Sequence, residues 1–285
     1  MRYQDRLPPD GINTPNRHPL RDFLKLSVLA VLAIVVFGFL LNTAGGTLGG
    51  FIPFKYELWL AEQIDAAAEN SGQASPFEKT VSNPELQQYL QSVADQVAEA
   101  MEIEDSMPIT LHYSDDNLVN AYATIGGHVY FFKGLLSLLP HENALAMLMA
   151  HEFSHVTLRH TAKGIGGGLT LALGSSMMGI STENQLFGFT TTLTSSRFSR
   201  KMETDADKSA LHAVNAMYGH INGADALFKL FMQQRGGGGQ FEKFLSTHPL
   251  DEQRIERVLQ LATDNGWQIN GEVTSLPVNY KQWLG

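Results

Sequence analysis

The sequence predicts an α+β domain, mostly helical, with a small sheet and one transmembrane anchor ahead of it. Three observations carry that reading. Most of the chain beyond residue 55 repeats its apolar residues at helical spacing, two short stretches alternate as strands do, and one uncharged apolar run precedes both. The 285 residues are 44% hydrophobic and 17% charged, which suits a domain with a proper core and excludes a disordered or low-complexity chain. Twenty Lys and Arg against 29 Asp and Glu leave a net charge of −9 with no basic block, so no nucleic-acid partner is expected. With no cysteine, disulfides, thiolate metal sites, cysteine nucleophiles and a lipid-modified N-terminal cysteine are excluded. Any metal site must be built from His and carboxylate.

Residues 1–25 form a basic leader of net charge +2, which leaves −11 for the rest. No charge occurs from Leu26 to Phe54, and the densest part, Leu26 to Leu41, is a 16-residue run. Extended to about residue 47 it is long enough to span a bilayer. No small-x-small cleavage site follows, so an uncleaved anchor over 26–47 is preferred to a signal peptide. The basic side stays in the cytosol. Residues 55–285 are then an extracytoplasmic domain, in a bacterium facing the periplasm from the inner membrane.

Tyr56–Asn70 and Pro84–Met101 read as amphipathic helices, the second introduced by a cap and a first-turn proline at Asn83-Pro84. Pro108–Tyr113 and Gly127–Phe132 read as strands. Helices are expected again at Glu142–Ala162, Ser199–Tyr218, Gly223–Gln234 and Asp251–Asn265.

The informative segment is HENALAMLMAHEFSHVTLRH, residues 141–160. On a helix, His151 and His155 are four residues apart and converge on one ion, with Glu152 on the same side: the HExxH arrangement. The flanking residues are apolar nearly all round, the mark of a buried helix. Two imidazoles and a carboxylate are costly there without partners, and one zinc ion per chain supplies the partner. His160 falls on the opposite side of a straight helix, so it is read as a surface or second-layer residue. A third ligand is offered by Glu203-Thr204-Asp205-Ala206-Asp207, where Glu203 binds metal and Asp207 orients a ligand histidine. Asp205 points elsewhere and is read as solvated.

From about Asn83 to Ile255 the chain resembles the HtpX and CAAX-prenyl-protease family of membrane-associated zinc endopeptidases, particularly its soluble-domain branch in bacterial envelopes. The resemblance rests on Asn120-Ala121-Tyr122, Gly126-Gly127-His128-Val129-Tyr130, Lys133-Gly134-Leu135-Leu136, HEFSH with Arg159-His160, Ser199-Arg200 ahead of ETDAD, and Thr247-His248-Pro249. It implies a gluzincin fold, zinc on His151, His155 and Glu203, Glu152 as general base, and a polypeptide substrate. It further implies that Gly127, His128, Val129 and Tyr130 lie on an edge strand to which substrate adds by backbone pairing. Val129 and Phe131 would meanwhile cover one face of that strand.

Thr247-His248-Pro249 also matches the family, and the proline keeps His248 out of helical conformation, as a loop residue aimed at a cleft requires. His248 is read either as an oxyanion donor or as an occupant of the open zinc position. Its carrier, Arg235–Pro249 with four consecutive glycines, is read as a mobile loop. The uncharged Gly164–Thr182 is read as a flap or lipid-touching segment, because a second crossing would put His155 and Glu203 on opposite sides of the membrane. The alternative function is a membrane-anchored binding or chaperone-like protein with a latent metal site.

Overall fold

Helix α5 (Glu142–Thr157) is the axis of the domain, with every residue from Asn143 to Val156 buried. The other helices of the computed structural model are α1 (Pro19–Leu48), α2 (Lys55–Asn70), α3 (Pro84–Ala100), α4 (Lys133–Leu136), α6 (Arg200–Tyr218), α7 (Ala226–Gln233), α8 (Glu242–Thr247), α9 (Glu252–Asp264) and α10 (Tyr280–Trp283). The strands are β1 (Thr110–Ser114), β2 (Ala121–Ala123) and β3 (His128–Phe132). The structure describes residues 18–48, 50, 53–70, 72, 83–164, 198–233, 241–249 and 252–285.

Helices α3 and α6 pack on α5 and on each other. Their contacts bury Leu86, Val93, Val97, Leu145, Met149, Phe153, Leu211 and Val214 in one core. The expected cap at Asn83 is present, and Ser199 caps α6 in the same way. Asn83 Oδ1 accepts from the N–H of Leu86 at 3.0 Å, and Ser199 Oγ accepts from Met202 at 3.3 Å. Each satisfies a backbone donor that a helix start leaves without a partner.

The sheet order is β1-β3-β2, with β1 parallel and β2 antiparallel to β3. This corrects the expectation of an edge strand at Gly127, His128, Val129 and Tyr130. β3 is central, and both of its sides are taken by ladder hydrogen bonds. Gly127 is not in the strand at all. It closes a 3-10 turn (Ile125–Gly127) at φ 76°, where a Cβ would collide with the Pro108 carbonyl oxygen. Val129 and Phe131 enter the main core, whereas Tyr130 faces α2 in a smaller cluster with Leu60, Ala61, Ile64 and Ile125.

The edge nearest α5 belongs to β2. Thr124 N–H donates to His128 O (2.8 Å) and Phe132 N–H to Asn120 O (3.2 Å). Antiparallel ladders alternate, so Tyr122 pairs with Tyr130 while the backbone groups of Ala121 and Ala123 point to the outer edge.

Helix α5 stops sooner than its apolar pattern suggests. Leu158 caps it, Arg159 takes a left-handed φ of 62°, and helical backbone resumes at His160. The straight-helix argument about His160 therefore does not apply. Arg159 Nη2 pairs with Glu57 Oε1 of α2 at 2.7 Å in a buried setting, and Glu57 Oε2 accepts from Gly126 N–H at 3.4 Å. One carboxylate thus ties α2 both to the end of α5 and to the turn before β3.

The loop reading of Arg235–Pro249 is corrected where the chain is described. Glu242–Thr247 is helical, because Phe244 and Thr247 bury one face, and His248 is its cap. Residues 165–182 of the glycine-rich stretch and residues 235–240 lie outside the described residues. Helix α1 runs through the expected anchor with Leu26, Val28, Leu29, Val31 and Leu32 more than half exposed. The side chains of 34, 35 and 37–48 lie outside the described residues, and among those described no helix is long and apolar enough to cross a membrane.

Candidate metal centre

Helices α5 and α6 and the C-terminal cap of α8 bring His151, His155, Glu203 and His248 together, all buried, with one ligand atom from each within 4.8 Å of the others. His151 Nε2 is 3.1 Å from His155 Nε2, 3.3 Å from His248 Nδ1 and 3.6 Å from Glu203 Oε2. Glu203 Oε1 is 3.5 Å from His155 Nε2 and 3.3 Å from His248 Nδ1. A tetrahedral zinc with bonds of about 2.0–2.1 Å separates its ligand atoms by about 3.3–3.4 Å. The donor set therefore fits such an ion in chemistry, and the five contacts above, counting both Glu203 oxygens, run from 3.1 to 3.6 Å, close to that spacing. Orphaned polar atoms point the same way. Glu203 Oε1, His248 Nε2 and both Glu152 oxygens are buried without a well-formed hydrogen bond, a costly state unless a charge or water completes it.

Glu152 lies one residue from His151 with its Oε1 3.5 Å from His248 Nε2. Burial raises its pKa, against the opposing pull of His248 and His151, and the nearby Ala123 N–H favours the charged form. Glu203 experiences the same burial, but His248, His151 and Arg254 outweigh it and hold its carboxyl below the usual range. His151 Nδ1 is 3.0 Å from Asp207 Oδ1, which places that carboxylate behind the histidine. Asp205, read as solvated, pairs with Lys201 away from this cluster.

Two participants were not foreseen. Arg254, 2% exposed on α9, donates from Nε and Nη2 to Asp207 (2.8 and 2.6 Å) and from Nη1 to Glu203 Oε2 (2.9 Å). Burial disfavours the Asp207 carboxylate, yet Arg254 and His151 overcome that and hold its pKa down to about 2. Phe198 lies flat on the His155 ring, centroids 3.7 Å apart, and its N–H donates to Thr247 O beside His248. The only sequence signal for Arg254 was indirect: two carboxylates on one buried helix face require a cation. Nothing in the spacing singled out residue 254.

His160 is buried, with Nδ1 3.1 Å from His155 Nδ1. Burial, reinforced by Lys163, lowers its pKa to about 4, so its ring is neutral at pH 7. Of the two readings left open for it, the second-layer one describes where it sits.

Residues 84–262 match the model of peptidase family M48. The chain is 32% identical over 154 residues to mitochondrial metalloendopeptidase OMA1 of Schizosaccharomyces pombe, covering 52% of this chain and 45% of that protein. It is 28% identical over 189 residues to the β-barrel assembly-enhancing protease of Escherichia coli, covering 61% of this chain and 38% of that one. A protein of Vibrio cholerae named as a putative β-barrel assembly-enhancing protease is 27% identical over 195 residues, again 61% of this chain and 39% of that one. The chain thus spans less than half the length of these curated relatives. With a family match over well more than half of its residues, and a metal-ready site within that span, the chain belongs to peptidase family M48.

Proposed function

We propose that this metallopeptidase is a zinc-dependent endopeptidase acting on misfolded or membrane-proximal envelope proteins. The carrying observation is the buried, clustered set of four donors with the buried Glu152 carboxylate beside it. His151, His155 and Glu203 would hold the ion, which when bound supplies Lewis-acid polarisation of the scissile carbonyl and acidifies water. Glu152 takes the proton of the attacking water and returns it to the leaving amine. Asp207 orients His151, and Arg254 holds Asp207 and Glu203.

The extended substrate is read as pairing with β2 rather than β3. This is supported by the outward backbone groups of Ala121 and Ala123 and by the closeness of Ala123 to Glu152. The inner-membrane anchor and the periplasmic orientation are supported by the basic leader ahead of an uncharged apolar run. Assignment to the envelope branch of the family is supported by the overlap with the β-barrel assembly-enhancing protease. Membranes carrying the full chain, washed in high salt, are expected to hydrolyse a denatured protein and to lose that activity to a zinc chelator. Activity released into the wash, or insensitivity to the chelator, contradicts the reading.

His248 is read as an occupant of the fourth position, the place a reacting water needs, because its Nδ1 is 3.3 Å from both His151 Nε2 and Glu203 Oε1. His248→Ala is then expected to raise the initial rate on a peptide substrate. A fall of about 10² or more would instead assign His248 to the oxyanion.

A further inference from the structure

His151 and His155 each turn Nε2 to the ligand cluster and Nδ1 away from it, but the two Nδ1 atoms meet different partners. His151 Nδ1 meets the Asp207 carboxylate. His155 Nδ1 meets another imidazole nitrogen, His160 Nδ1, at 3.1 Å. A neutral histidine carries one ring proton, so a His155 that offers the Nε2 lone pair to a metal has its proton on Nδ1. Across 3.1 Å the facing atom must then be an acceptor. That requires His160 to be the tautomer protonated at Nε2 and bare at Nδ1.

The fold keeps His160 in that place. Arg159 turns the chain at φ 62° immediately before it, the Glu57 ion pair at 2.7 Å pins Arg159, and His160 itself is 2% exposed. On the far side of His155, Phe198 stacks on the ring face and restricts its rotation. Of these two contacts on the side away from the ligand cluster, only the one to His160 engages a ring nitrogen, Nδ1.

We propose that His160 is a positioning residue for the metal centre: through Nδ1 it accepts the His155 Nδ1 proton and so presents the His155 Nε2 lone pair to the ion. A metal-bound histidine ordinarily has a carboxylate, carbonyl or water behind it, and loss of such a partner weakens metal binding about 10- to 100-fold. Here an imidazole does that work for one ligand and a carboxylate for the other, so the two histidines are supported unequally. The proposal rests on His155 being a ligand, as read above.

The test is zinc affinity of the full-length chain by competition with a chelator, for the wild type, His155→Ala, His160→Leu and His160→Asn. His160→Leu is expected to lose about 10- to 100-fold in affinity. His160→Asn, whose side-chain oxygen can occupy the Nδ1 position as an acceptor, is expected to stay close to the wild type. Wild-type affinity in His160→Leu, or equal loss in both His160 variants, overturns the proposal. Unchanged affinity in His155→Ala removes the ligand reading itself, and the proposal with it. Should His160→Leu fail to fold, the ring 15N spectrum of the zinc-loaded wild type decides. Protonation of His160 at Nε2 is the expected result, and protonation at Nδ1 overturns the proposal.

Discussion

Glu152→Gln is expected to lower peptide hydrolysis by about 10² to 10⁴ while leaving bound zinc unchanged. The substitution keeps size and shape but removes the site that accepts a proton. No other described carboxylate can replace it: Glu203 is committed to the ligand cluster and Asp207 to Arg254 and His151. Burial raises the Glu152 pKa, which makes the carboxylate a better proton acceptor than an exposed glutamate. Initial rates on a denatured protein, measured beside elemental zinc analysis, separate the two properties. Loss of zinc in step with rate would make Glu152 a ligand, and an unchanged rate would remove it from the chemistry.

Arg254→Met is expected to destabilise the fold by about 3 to 5 kcal/mol, because removing one partner of a buried ionic network leaves the others uncompensated. Three of the Arg254 hydrogen bonds end on Asp207 and Glu203, both nearly inaccessible to water, so no solvent can take its place. Methionine fills much of the volume against Phe228, over which the guanidinium sits at 4.7 Å, so the loss is electrostatic rather than a cavity. Arg254→Lys restores one positive charge but not the bidentate grip on Asp207, and should recover only part of the stability. Urea unfolding in the presence of a chelator reads this without any contribution from metal. A change below about 1 kcal/mol would mean that the network is held by other groups.

What the sequence made legible follows from how local each feature is. Helix α5 and its two histidines were readable because ligand spacing and burial lie within one helix, and periodicity reports both. Glu203 and Asp207 were readable for the same reason, four residues apart on α6. Sheet order was not legible, since a strand's own residues say which face is buried but not which neighbour lies beside it. The edge reading of β3 came from the family resemblance, and nothing in the periodicity opposed it, because β2, its partner on one side, is only three residues long and too short for any alternation to register. The end of α5 was hidden because Val156-Thr157-Leu158 continues the apolar pattern, while the left-handed turn at Arg159 depends on Glu57, about a hundred residues earlier. Arg254 was invisible for the same reason, its partners being 47 and 51 residues away.

The relation between His160 and His155 shows the two scales together. Five residues separate them, yet an ideal helix would point them apart. Only the break at Leu158 and Arg159 lets the rings meet.

The most direct measurement of the central claim is the zinc content of the purified full-length chain beside that of Glu203→Ala. One zinc per wild-type chain is expected, with loss of most of it in Glu203→Ala, because the histidines that remain, His248 included, leave the ion buried beside Arg254 with no anionic ligand to balance its charge. Equal zinc in the two proteins, or none in the wild type, would contradict it.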